Sequence, residues 1–145
     1  MLAVETARLA EALEPFRTQL RLVYEDSVIA LEPMGFAPFL NEVWRSEADQ
    51  RRYFEAGTSK TLRGKHPLRL AADIYLRSML LTGIHLHPWP TDVKGRELPW
   101  ESDNSICEGY RVMVAFAEGR GLRCGARFAS IFDPYHVEWP GRLPR

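Results

Sequence analysis

SKTLRGKHPLRLAAD, residues 59–73, decides how this chain is read, because it sets His66 and Asp73 seven residues apart on either side of a turn. Pro67 has no N–H and resists regular pairing. Beyond it Leu70, Ala72, Ile74 and Leu76 alternate with Ala71, Asp73 and Tyr75, the period of a half-buried strand. The apolar set faces a core, so Asp73 lies on the opposite face, where its carboxylate can meet His66 across the bend. The third partner lies far downstream, in the tetrad Asp133, Pro134, Tyr135 and His136 that leads into Val137, Glu138 and Trp139. Pro134 sets its own φ and biases Asp133 toward an extended conformation, which can point both polar side chains of the tetrad into one site. Two histidines, one carboxylate and a second carboxylate close by match a zinc site that keeps one position open.

At these residues the sequence resembles a family. Ser59, His66 and Asp73, followed much later by Asp133, His136 and Glu138, look like the motifs of peptidase family M15, zinc enzymes of the bacterial cell wall. The family includes D-Ala-D-Ala carboxypeptidases and dipeptidases and phage L-alanyl-D-glutamate endopeptidases. Val43, Trp44, Arg45, Ser46 and Gln50 resemble its arginine-containing segment before a helix, and Gly121, Leu122, Arg123, Cys124 and Gly125 resemble its approach to the last strand. The resemblance covers roughly residues 12–140. It implies His66, Asp73 and His136 as zinc ligands, Asp133 as the catalytic carboxylate and Arg45 as a substrate or oxyanion contact. Glu138, Ser59 and Gln50 are then supporting or substrate-contacting groups. It also implies a Hedgehog/DD-peptidase-like fold. Two positions depart from the pattern: Gly64 stands where the family usually has Ser, and Arg69 where it has Gly, so Arg69 must take a turn that glycine would take more easily.

The chain has 145 residues and zero formal net charge. It reads as one domain over residues 1–145, without a separate wall-binding module, large enough to bury a core as a monomer. Balanced charge argues against nucleic acid or an anionic membrane as partner. Only Cys107 and Cys124 occur, too few for a disulfide framework. Neither a leader pattern nor the roughly 18 consecutive apolar residues of a membrane span is present. With the resemblance, this implies a phage endolysin made in the host cytoplasm and released to the cell wall by a separate membrane-permeabilising protein.

Leu9, Leu13, Phe16, Leu20 and Val23 form a helical stripe that Pro15 should kink or split. Residues 32–39 carry Pro33, Gly35 and Pro38 and read as a connection, with a short strand over 40–44. Ser46 reads as the N-cap of a helix that Gly57 closes. Residues 80–100, dense in Pro and Gly, read as a hairpin or long loop bordering the cleft. His85 and His87 lie there without a carboxylate or cysteine at matching spacing, so they read as polar loop residues. Ser105 and Glu108 read as a capping box opening a helix with Ile106, Tyr110, Met113 and Ala117 on one face. Strands over 122–128 and 135–139 complete a small antiparallel sheet packed against helices, an α+β fold.

These expectations converge on a zinc-dependent peptidase of the peptidoglycan stem peptide that cleaves the L-alanyl-D-glutamate bond. A D-alanyl-D-alanine carboxypeptidase or dipeptidase is the nearest alternative. A non-catalytic zinc-containing binding domain on the same scaffold is the alternative of a different class.

Overall fold

The computed structural model describes residues 1–59, 64–80, 82–129 and 131–141. Three of the helices and the sheet enclose the core, and the far face of the sheet carries the cleft. Helices α1 (Ala3–Glu11) and α2 (Phe16–Leu31) divide at Pro15, so the stripe read across it is two helices rather than one. Helix α3 (Glu47–Glu55) begins at Ser46, whose side chain accepts the Asp49 N–H, and Gly57 follows its end with φ +78°. Helix α4 (Ser105–Gly119) starts one residue earlier than a Ser105 cap would place it. Asn104 is the cap, accepting from the N–H groups of Ile106 and Cys107, the role in which a short amide oxygen competes well with serine.

The strands are β1 (Phe36–Glu42), β2 (Ala71–Ser78), β3 (Leu86–His87), β4 (Arg123–Cys124) and β5 (His136–Glu138). They form an antiparallel sheet in the order β1-β2-β5-β4, with β3 paired to the distal half of β2. The alternation read in residues 70–76 is the buried alternation of β2, in which Ala72, Ile74 and Leu76 join the core with Leu20, Val23, Leu40 and Tyr110. Helix α4 crosses this face so closely that a Cβ on Gly109 would stand 2.6 Å from Leu76 Cδ1.

Strand β1 corrects the reading of residues 32–39 as a connection and of 40–44 as the strand. After a 3-10 turn at Glu32–Met34 the chain is already paired at Phe36. Pro38 is tolerated because β1 is an edge strand. The N–H and C=O of Leu40 bond away from β2, to Glu5 Oε2 at 2.9 Å and Arg8 at 3.0 Å, so helix α1 covers this edge. Pro38 lies two residues earlier and therefore directs its missing N–H to the same outer side, and its carbonyl accepts from Tyr24 Oη at 3.3 Å.

The last strands are shorter than the sequence suggests. Residues 122–128 keep only Arg123–Cys124 as strand before a 3-10 turn at Gly125–Arg127, and β5 spans only His136–Glu138. The cause is close backbone approach: a Cβ on Gly125 would lie 2.4 Å from the Asp133 carbonyl oxygen. Both cysteines are buried free thiols. No helix among the described residues is long and apolar enough to cross a membrane.

Candidate metal centre

Strand register builds the centre. Asp73 of β2 is directly opposite His136 of β5, and on its other side opposite Glu42 of β1. Glu42 reaches this row because the β1–β2 register shifts between Leu40 and Glu42, a β-bulge that gives Asn41 no place in the ladder. His66 arrives from the preceding turn, where Arg69 N–H bonds to the His66 carbonyl and Leu70 N–H to that of Lys65. Arg69 sits at φ +61°, the left-handed conformation that glycine would take more easily. The Arg69 side chain then lies over the Trp44 ring.

His66 Nε2 stands 3.3 Å from Asp73 Oδ1, and His136 Nδ1 stands 3.5 Å from the same oxygen. One ligand atom from each of these residues lies within 4.8 Å of the other two, so the group could hold a metal ion. The remaining ring nitrogens face outward from this point. His66 Nδ1 pairs with the Val43 carbonyl at 2.9 Å, and His136 Nε2 pairs with Glu138 Oε1 at 2.8 Å. Such contacts put the N–H on the far nitrogen and leave the near one as a lone-pair donor. Glu138 is itself held by Lys65, at 3.2 Å, and Lys65 Nζ also donates to the carbonyls of Trp139 and Gly141.

The residues fit a cation on two observations. Asp73 Oδ1 is buried and makes no hydrogen bond, a costly state for a carboxylate oxygen unless something positive completes it. The site also attracts positive charge: burial works against a charged His136, yet the adjacent Asp73 and Glu138 carboxylates outweigh it and push the imidazole up to about 9. Burial likewise opposes ionisation of Asp73, but the adjacent His136 and His66 imidazoles hold it well below the usual carboxylate range. Imidazole and carboxylate donors suit zinc and other divalent transition ions.

Asp133 lines the same cleft, of about 1140 Å3. Its N–H bonds to the Gly125 carbonyl, and its Oδ1 accepts from Tyr135 N–H at 3.3 Å. Burial, reinforced by the nearby Asp73 charge, raises its carboxyl above the ordinary range. Arg45 is also in the cleft. Its guanidinium donates from Nε to Glu42 at 2.7 Å and from NH1 to Gln50 Oε1 at 2.8 Å, and NH2 lies 3.7 Å from Asp73 Oδ2. Gln50 Nε2 in turn donates to Ser59 Oγ at 2.9 Å. Gln50 also lies against Gly64, 3.5 Å from where a Cβ there would be.

All eight residues singled out in the sequence therefore line this cleft: Arg45, Gln50, Ser59, His66, Asp73, Asp133, His136 and Glu138. Glu42, Lys65, Tyr75 and Gly125 were not singled out as site residues. Glu42 depends on a bulge with no sequence signature, whereas Gly125 already stood in the Gly121–Gly125 run. Among the described residues, none of those at 80–100 borders the cleft. They support it from behind, where Trp89 N–H donates to Tyr135 Oη at 2.7 Å. His85 and His87 lie outside the centre: His85 faces the Thr82 carbonyl, and His87 meets the edge of Phe36.

No protein-family model matches the chain, and no curated protein sequence matches it. Among solved structures, the crystal structure of Serratia marcescens L-Ala D-Glu endopeptidase ChiX is similar, with a TM-score of 0.59 and 19% identity, covering 95% of this chain and 87% of that one. At that identity the likeness is one of fold, and it establishes that these four helices and their small antiparallel sheet adopt the α+β arrangement seen in that endopeptidase.

Proposed function

We propose that this chain is a zinc-dependent peptidase of the peptidoglycan stem peptide, cleaving the L-alanyl-D-glutamate bond. The observation that carries the reading is the buried Asp73 Oδ1, unbonded and flanked by two imidazole nitrogens in a cleft that also holds a second carboxylate, Asp133. The ChiX-like fold supports the choice of substrate, as does the motif resemblance. His66, Asp73 and His136 would hold the ion, which when bound supplies Lewis acidity toward water and the scissile carbonyl.

Asp133 is the proton carrier of the proposed reaction. It takes a proton from the attacking water as the new C–O bond forms, then delivers it to the leaving amine as the C–N bond breaks. One water is consumed, and a carboxylate and an amine result. A carboxyl raised by burial suits both halves of that duty, being basic enough to accept and acidic enough to return the proton. Arg45 contributes positive charge toward the substrate carbonyl while bracing Glu42 and Asp73. Glu138 orients His136, and Gln50 and Ser59 brace Arg45. On this reading residues 1–145 form one catalytic unit that acts as a monomer, and a phage endolysin is the biological setting that the motif resemblance favours.

Mass spectrometry of purified murein digested by the chain tests the proposal. The expected products carry a new D-Glu amino terminus, and they vanish with a chelator and return with added zinc. Release of D-Ala would instead identify a D-alanyl-D-alanine peptidase. Intact murein in the presence of bound zinc would contradict hydrolysis altogether.

A further inference from the structure

We propose that the Tyr75 hydroxyl is a catalytic hydrogen-bond donor to the carbonyl oxygen of the scissile amide as that oxygen gains negative charge, an inference that rests on the peptidase reading above. Strand alternation puts Tyr75 on the face of β2 that carries Asp73, and it lines the same cleft as Asp133 and His136.

The ring is held in place from behind. It stacks on Tyr135 at 4.2 Å and 11°, Tyr135 Oη accepts the Trp89 N–H at 2.7 Å, and Tyr110 abuts Tyr135 edge-on at 5.4 Å. The other hydroxyls of this aromatic stack each have a partner within the fold. Tyr110 donates to the His87 carbonyl and accepts the Leu76 N–H, and Tyr135 accepts from Trp89. Tyr24, packed behind β1, donates to the Pro38 carbonyl. Tyr75 makes no hydrogen bond through its hydroxyl to any described residue, so a rigid ring presents an uncommitted donor beside the centre.

Such a donor adds to the positive charge that Arg45 contributes. The Arg45 guanidinium already gives Nε and NH2 to Glu42 and NH1 to Gln50. A neutral phenol brings a proton to the developing oxyanion without adding a charge among Asp73, Asp133 and Glu42, and its placement ahead of the reaction is what makes such a donor effective.

Tyr75→Phe isolates the hydroxyl, since the stacking ring remains. In the zinc-loaded protein, kcat on a murein stem peptide should fall about 10²-fold with KM nearly unchanged. Calorimetric affinity for a phosphinate analogue of the L-alanyl-D-glutamate bond, whose tetrahedral oxygens imitate the charged oxygen, should weaken about as much, with zinc affinity unmoved. Equal phosphinate affinity in the wild type and Tyr75→Phe overturns the proposal, as does a wild type that does not bind the phosphinate. Selective loss of phosphinate binding in Tyr75→Phe, with murein left intact by the wild type, would uphold the donor and sink the wall-peptidase reading instead.

Discussion

Glu5 and Asp73 are both carboxylates embedded in the fold, and the protein treats them in opposite ways. Glu5 is fully buried where α1 meets β1. One of its oxygens accepts the Leu2 N–H at 3.0 Å, opening the helix, and the other accepts the Leu40 N–H at 2.9 Å, closing the sheet edge. Asp73, on β2 opposite Glu42 of β1, has one oxygen 3.7 Å from the Arg45 guanidinium and the other buried without a hydrogen bond to any described residue. A carboxylate that serves the fold has its acceptors filled by the fold, whereas one left open between imidazoles is poised for something from outside. The outer edge of β1 and the cleft thus separate stability from chemistry, and mutation should separate them too.

The largest expected effect is at the chemical end. Asp133→Ala should lower turnover by roughly 10³–10⁴-fold, within the span of general acid–base contributions, while zinc content and the melting profile stay near those of the parent. Loss of zinc together with turnover would instead make Asp133 a ligand and break the division of roles proposed for the cleft.

At the structural end the effect should be reversed. Glu5→Ala leaves two backbone N–H groups without their acceptor and should destabilise the chain by about 2–3 kcal/mol in denaturant unfolding, with zinc affinity of the surviving folded protein unchanged. A Glu5 variant that unfolds like the parent, or that loses zinc while folded, would dissolve the contrast between the two carboxylates.

The smallest expected effect belongs to Arg69, which the fold keeps at φ +61°. Arg69→Gly removes a left-handed strain of about 1–2 kcal/mol but adds chain entropy to the unfolded state of about 0.5–1 kcal/mol. It also gives up the contact with the Trp44 ring. A net gain near 0.5 kcal/mol in unfolding free energy is expected, and a clear loss would mean that the Trp44 contact outweighs the backbone.

The part of the fold that was legible in the sequence is the part with a strong local cause. The period of two in β2, the break at Pro15 and the Ser46 cap all appear where physical chemistry put them, as does the meeting of His66 with Asp73 across a turn. What escaped depends on the far side of a contact. Pro33, Gly35 and Pro38 mark a loop in any sequence, and only the edge position of β1, covered by α1, makes Pro38 harmless. The bulge at Asn41 that brings Glu42 into line with Asp73 has no residue signature at all. Residues 122–128 carried a strand pattern, but the passage of the Asp133 backbone 2.4 Å from a would-be Cβ on Gly125 ends that strand early. Tyr75 reads as one member of a strand alternation until its hydroxyl is seen to lack, among the described residues, a partner such as Tyr110 and Tyr135 have.

The central claim is that side chains from a mid-chain turn, β2 and β5 converge on one divalent ion. Elemental analysis of the purified chain after zinc loading and dialysis tests it most directly, with His136→Ala measured alongside. One zinc per chain in the parent and none in His136→Ala is the predicted result. A parent that retains no zinc, or a His136→Ala variant that retains as much as the parent, would contradict it.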